Sequence, residues 1–472
     1  MGDLGQRRAP FSVCAHENLF HCRPASAVWA ALIVPLFATI AAPPAAAQIT
    51  APTGTSVTVP PNTTITCADC VALSVPGPAP PGTIIALGPF TLNVTSTSVF
   101  TAGANTQTGS GGVITLENGT INATSTSPFG AQGVISQSGT ITGTNVNVDT
   151  QGFSSQALVA SSGGQVIWSG GTVTTTGGGT ADAIFAFSGG KVVATGTTFN
   201  VTQGVEVSNG AAVELHNVTM TSTSFGIFGH DAFGPTPSTV LVDGGSLTAV
   251  SPFGVFGAPG TATVTFNVQN ALVNTLVSST GLVRLMQVTD GSTGILNASS
   301  STLTGSIFTE PGSTTNVNLT NGTRWNVTGP ENSNVSNLTN NASTIQFAPP
   351  TGDPTLLSSY KTLTAVNYTG QGGTLGLNTF LGADGSPSDR LVINGGSATG
   401  SSSLRITNAG GPGAETVADG IQVVQAINGG TSASGAFSLP GGSITAGAFD
   451  YFLFKGGASP GSEGNWYLRR PS

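Results

Sequence analysis

Cys67 and Cys70 are the residues of this chain whose type and spacing come closest to chemistry, in the run Cys67-Ala68-Asp69-Cys70. A CxxC pair can be half of a zinc site or a redox pair. No second CxxC exists, however, and His216 and His230 lie far away in sequence, so the spacing points to a small local disulfide. His230 and Asp231 are adjacent. Neighbouring side chains on a strand point to opposite faces, which makes the two a loop pair rather than an acid–base dyad. No Gly-Asp-Ser-Gly frame offers a nucleophile. Lys191 is the only basic residue between Arg23 and Arg284, which leaves a lyase without its usual base. Glu206 and Glu214 read as solvated charges facing each other across a turn, and Asp182, Asp231 and Asp243 do not fall at one position of the chain's sequence repeat. No catalytic, cofactor or metal site is expected.

The elements that would have to position such residues are strands. The 472 residues include 67 Gly, only 7% are charged, and Ser, Thr and Asn recur throughout, so helix-stabilising Glu, Lys and Arg are scarce. Hydrophobic residues still make up 38% of the chain, in short Val/Ile/Leu/Phe runs that can bury a core. From about residue 110 to 260 these runs repeat. Taking Ile114, Ile141, Ile167, Val193, Val213 and Val240 as markers gives 20–27 residues per unit. A second run comes at Val173, Phe199, Met220 and Leu247, and a third at Ile184, Val205, Ile227 and Val255. Three short strands per 20–27 residues predict an all-β right-handed parallel β-helix, one coil per repeat, with Val, Ile, Leu or Phe inward and Thr, Ser or Asn outward. At about 4.8 Å per coil the rod would be roughly 50–60 Å long. The Asn-X-Ser/Thr triplets at Asn118 and Asn217 read as turn residues.

Residues 1–47 read as a signal peptide. Arg7, Arg8 and Arg23 precede an apolar stretch from Ala27 to Ala41, and Ala45-Ala46-Ala47 presents small residues before Gln48, with cleavage expected between Ala47 and Gln48. That segment holds three of the 12 Lys/Arg and two of the 20 Asp/Glu, so the remaining chain carries 9 basic and 18 acidic residues, a net of −9. Such a balance, without a Lys/Arg cluster, excludes nucleic acid as a partner.

The last 150 residues form a β-rich module with its own order of motifs. Asn321-Gly322-Thr323-Arg324-Trp325-Asn326-Val327-Thr328 leads to Ser333-Asn334-Val335, Asn337-Leu338 and Ile345-Gln346-Phe347. Tyr360-Lys361-Thr362-Leu363-Thr364, Asp389-Arg390-Leu391-Val392, Gly410 to Thr416 and Trp466-Tyr467-Leu468-Arg469 come after them. These blocks, over about a third of the chain, resemble the C-terminal end of pertactin-like autotransporter passengers, the region known as the autochaperone.

The resemblance implies three segments: the signal peptide 1–47, a β-helix passenger at 48–320, and the autochaperone region at 321–472. Trp325, Leu391, Val392, Phe437, Tyr451, Trp466, Tyr467 and Leu468 are its expected folding and capping residues, and a dense aromatic content lets such a module fold first, cap the rod and template the next coil. The family's plan adds a twelve-stranded outer-membrane barrel through which the passenger crosses to the cell surface. No lipid-facing strands follow Ser472, so the expectation is either a truncated gene or fragment or a barrel supplied by another chain, with an outer-membrane β-barrel translocator and the barrel assembly machinery as partners. A small Cys67–Cys70 loop would not obstruct such a pore.

The function implied is non-enzymatic adhesion to a host surface or a carbohydrate, through repeat-breaking loops at Ser251 to Thr261 and His230 to Ser238, with Phe233 and Phe253 exposed. The competing reading is a secreted polysaccharide lyase or glycoside hydrolase. A carboxylate cluster aligned on consecutive coils would favour it; Thr/Ser/Asn ladders alone would remove it.

Overall fold

The computed structural model describes residues 49–471, apart from 78–79, 129, 179–180 and 258–259. The expected leader and its Ala47/Gln48 junction lie outside the described residues. The described residues are almost entirely strand, with one 3₁₀ turn at Leu357–Ser359, and build a parallel β-solenoid of about 13 turns. At about 4.8 Å per turn that is a rod of roughly 60 Å.

Three inward ladders carry the core, because Val, Ile, Leu and Phe recur at the same place in every coil. The first runs from Ile84 through Ile114, Ile141, Val166, Val192, Val213, Val240, Phe266, Leu296, Val317 and Leu338 to Tyr368. The second includes Val173, Phe199, Met220, Leu247, Val273, Leu303, Trp325, Ile345 and Leu375. The third includes Leu158, Ile184, Val205, Ile227, Phe253 and Met286. Alternation along single strands is clear: Phe90–Ser96 and Thr263–Gln269 bury every second side chain. Corners fall on Asn in the left-handed region, Asn118 (φ 54°) and Asn217 (φ 51°) among them, where its short polar side chain tolerates φ > 0. Asn118 thus sits between two strands as read, whereas Asn217 lies within the long strand Ala212–His230, at a residue of positive φ.

Two details of the repeat are corrected. Ile167 and Val193 are not inward markers: Ile141 pairs with Val166 and Val166 with Val192, while Ile167 faces outward and is 40% exposed. A slip of one residue exchanges the two faces of a strand, and adjacent pairs such as Val166-Ile167 leave the choice open from sequence alone. The coils also extend beyond 27 residues. Stacked asparagines are 29 residues apart at Asn93/Asn122, 30 at Asn267/Asn297 and 21 at Asn297/Asn318. Corner loops absorb the difference.

Parallel pairing crosses residue 320 without a break, continues to the strand Ile421–Ile427 beside Arg390–Asn394, and ends in the short strands Thr431–Ser432 and Phe437–Ser438 beside Ser397–Asn408. There the polarity changes. Trp466–Arg469 lies antiparallel along the free edge of Ile421–Ile427, and Phe449–Lys455 and then Ser443–Ala446 add further antiparallel strands.

Candidate functional site

Cys67 and Cys70 are joined, with Cα atoms 5.9 Å apart. Asp69 between them adopts φ 51° and accepts hydrogen bonds from the backbone N–H and hydroxyl groups of Thr97 and Ser98, one coil onward. These bonds hold its carboxyl far below the usual carboxylate range, the Thr97 hydroxyl foremost.

The acidic residues fall into two groups that differ from the expected arrangement. Glu206 and Glu214 do not face each other, and Glu206 is not solvated. Glu214 lies on the outer face with Lys191 at 2.7 Å, and His216 stands 3.6 Å from Glu214 and 3.4 Å from Asp243. The Lys191 hydrogen bond holds Glu214 below the ordinary range. Glu206 is 5% exposed on Gln203–Ser208, and its Oε1 lies 2.5 Å from His230 Nε2. His230 Nδ1 accepts the Ala232 N–H at 3.1 Å, so the imidazole proton sits on Nε2 and points at Glu206. Asp182, on the preceding coil, is fully buried, and no N–H or hydroxyl of another described residue reaches either carboxyl oxygen. Burial first, then the Glu206 charge, push its carboxyl well above the usual range.

A carboxylate pair on consecutive coils is the arrangement that would favour a polysaccharide-cleaving enzyme. Here the pair is covered. Glu206 is paired with His230, and Phe233, from the loop after His230, packs on Phe185 and Phe187 with ring centroids 5.7 and 4.8 Å away. Among the described residues no group of three His, Cys, Asp or Glu is arranged to hold a metal. A carboxyl that binds its proton more tightly folded than unfolded stabilises the fold at low pH and loses that contribution as pH rises. Asp182→Asn, which mimics the protonated form, is therefore expected to raise the denaturation midpoint over the parent by a margin that widens from about pH 4 to about pH 8. A margin that narrows over that range would rule out the protonated assignment.

Phe253 is not an exposed loop residue. It belongs to the strand Ser238–Phe256, is fully buried, and packs on Phe266 at 4.9 Å. Phe233 is only half exposed because of its contacts with Phe185 and Phe187. The outer faces elsewhere carry amide ladders: Asn93–Asn122, Asn267–Asn297–Asn318 and Asn316–Asn337–Asn367, linked at 2.7–2.9 Å.

The C-terminal end brings together most of the residues singled out there. Trp466 is 4% exposed, meets Phe437 edge-on at 5.4 Å, and donates its indole N–H to Ser432 Oγ at 2.8 Å. Tyr368 stacks on Phe437 at 5.8 Å and bonds Ser402 through its hydroxyl at 2.6 Å. Leu391 and Val392 are buried on the last parallel ladder, against Val424 and Gln425. Leu468 and Tyr467 pair with Ile421 and Gln422 across the antiparallel junction. Tyr451 is fully buried, its hydroxyl within 2.9 Å of the Gly382 and Ala414 carbonyls and accepting the Ala414 N–H at 2.8 Å. Trp325 is not part of this group; it fills an earlier coil and donates to the Gly305 carbonyl at 2.9 Å.

Two acids complete the module and carried no signal beyond their place in a motif or loop. Asp389, fully buried, accepts the N–H groups of Lys361 and Asn378 and the Asn378 amide at 2.7–2.8 Å. Asp384 accepts three backbone N–H groups, from Val417, Ala418 and Gly420, at 2.7–3.0 Å. Burial works against its charge, but those three donors prevail and keep the carboxyl below the ordinary range.

Residues 333–453 match the family model of the Autochaperone Domain Type 1. The chain is 44% identical over 110 residues to the adhesin BmaC autotransporter of Brucella suis biovar 1 (strain 1330), covering 22% of this chain and 3% of that protein. It is 39% identical over 117 residues to the autotransporter adhesin AIDA-I of Escherichia coli, 25% of this chain and 9% of that protein. The chain thus spans less than a tenth of the length of either relative. Among solved structures, the autotransporter UpaB from E. coli strain CFT073 superimposes with a TM-score of 0.50 at 16% identity, covering 90% of this chain and all of that one, which is a likeness of fold. Residues 333–453 are thus similar to a type 1 autochaperone segment near the end of a parallel β-solenoid, and the relatives matched over about a quarter of the chain include autotransporter adhesins.

Proposed function

We propose that this chain is the non-enzymatic, surface-displayed passenger of a bacterial autotransporter adhesin, exported across the outer membrane through a β-barrel and folded outward from its C-terminal cap. The observation that carries the reading is the closure of the parallel strand Ile421–Ile427, which lies in a segment of the autochaperone type, by antiparallel Trp466–Arg469 just beyond that segment. A closed end gives the preceding coil a finished edge to pair with and leaves growth open only toward the N-terminus. The relatives named as adhesins support attachment to a host surface or a carbohydrate as the task. The largely covered Asp182–Glu206–His230 cluster supports a passenger without hydrolytic or lyase activity. Partners on this reading are the barrel translocator and the barrel assembly machinery. Export would pass through the periplasm to the cell surface.

The test is display. Fused to an autotransporter barrel in an E. coli outer membrane, the chain from Gln48 onward should become accessible to external antibody and confer binding to host cells or immobilised glycans. A passenger that is displayed and folded yet changes attachment to neither would remove adhesion and leave the export reading intact. A passenger retained in the periplasm would remove export.

A further inference from the structure

The autochaperone end contains a cavity of about 470 Å³ whose lining includes Asp384, Ser386, Arg390, Asp419, Gln422 and Tyr467. Arg390 opens the strand Arg390–Asn394 at the edge of this space and is half-buried. Its Nη1 donates to the side-chain carbonyls of Gln422 at 3.1 Å and Gln425 at 3.5 Å. Among the described residues it forms no ion pair with a carboxylate. Burial presses against its charge. Neutral amide oxygens orient the guanidinium but do not offset the cost of taking a cation out of water; an anion in the cavity would.

A second donor converges on the same space. Tyr467 is 5% exposed, and its hydroxyl oxygen accepts from the Asn465 amide at 2.9 Å and from the Gln422 amide at 3.5 Å. No acceptor for its own O–H is found among the described residues, so the phenolic proton remains available to whatever fills the cavity. The rim has the opposite chemistry. Asp384 and Asp419 are held as carboxylates by backbone N–H groups, Asp419 by Ser459 at 2.8 Å, and both lie below the ordinary range. These carboxylates retain lone pairs that can accept hydroxyl donors.

A small inorganic anion would meet Arg390 and Tyr467 but also be repelled by two rim carboxylates. A neutral sugar would satisfy the rim and leave Arg390 unanswered. We propose that this cavity is a binding site for a sugar acid, its carboxylate held by the Arg390 guanidinium and the Tyr467 hydroxyl and its ring hydroxyls donated to Asp384 and Asp419. The volume accommodates one or two sugar rings, within the usual range of small-ligand sites. The site belongs to the C-terminal module and does not depend on which surface the rod adheres to.

The experiment is titration of the folded chain, from Gln48 onward, with D-glucuronate, followed by calorimetry or by chemical shifts of the Arg390 and Tyr467 side chains. Saturable binding with a Kd of about 0.1–10 mM is expected, together with an at least tenfold weaker response to D-glucuronamide, D-glucose and inorganic phosphate. Arg390→Gln should weaken glucuronate binding at least about tenfold, and Arg390→Lys, which keeps the charge without the fork, should fall between. Glucuronamide separates the carboxylate requirement from folding, because it uses the unmutated protein. Absence of saturable glucuronate binding, equal binding of the amide or of phosphate, or undiminished binding by folded Arg390→Gln protein would each overturn the assignment.

Discussion

Trp466→Ala is expected to detach the C-terminal end from the rod and to slow the folding of everything upstream. The indole is almost fully buried against Phe437 and donates to Ser432, so its removal leaves a large cavity and takes away one of the two hydrogen bonds of that hydroxyl. Truncations of this kind cost about 3–5 kcal/mol. In a solenoid, where each coil contacts only its neighbours, that loss stays local and should appear as an early, separate step in equilibrium urea unfolding followed by far-UV circular dichroism. Trp168→Ala supplies the comparison. Trp168 is equally buried and donates to the Val146 carbonyl at 3.3 Å, but it lies mid-rod. Both variants should lose stability. Only Trp466→Ala should slow refolding, by about tenfold or more, if the cap forms in the transition state. Equal refolding rates for the two would show that the rod does not depend on its cap to start.

Asp389→Asn should cost about 2–4 kcal/mol, although it changes only one heavy atom. Both carboxyl oxygens of Asp389 accept N–H groups, one from Lys361 and two from Asn378. An amide in its place must turn an NH₂ toward one of those donors and leave a backbone N–H unsatisfied in a fully buried position. The bonds tie the start of the strand Thr362–Thr379 to its far end and to the start of Arg390–Asn394. Hydrogen exchange should therefore accelerate at the amides of Lys361 and Asn378, while those of Val166 and Val192 stay protected. Unchanged protection at Lys361 and Asn378 would show that the carboxylate does not bind these segments together.

The architecture was legible because a parallel solenoid writes the same inward residue into every coil. Ile114, Ile141, Val213 and Val240 are on the inner ladder where the repeat put them, and Val173, Phe199, Met220 and Leu247 form the second ladder as read. Parity was lost where two β-branched residues adjoin, as at Val166-Ile167 and Val192-Val193, since either can satisfy a period of two. Phe253 looked like a loop residue because Pro252 and Gly254 flank it, yet the strand continues through all three. The Asp182–Glu206–His230 cluster was hidden for a different reason. Glu206 and His230 are 24 residues apart, and only the coil register brings them together. A signal existed in Glu206 itself, a charge between Val205 and Val207 in an apolar run. At the C-terminus Phe437 and Trp466 were expected by composition, while Asp389 and Asp384 act through backbone N–H groups that no side-chain pattern reveals.

Coil length varies from 21 to 30 residues between stacked asparagines, yet the inner ladder from Ile84 to Tyr368 never loses register. Insertions and deletions at the corners thus leave no trace in the core. This separates two kinds of inheritance. The corners can diversify residue by residue without endangering the scaffold, whereas the reach of the rod changes only in whole coils, by duplication or loss of a repeat. Lineages related to this one should accordingly differ smoothly in loop sequence and in steps of one coil in length.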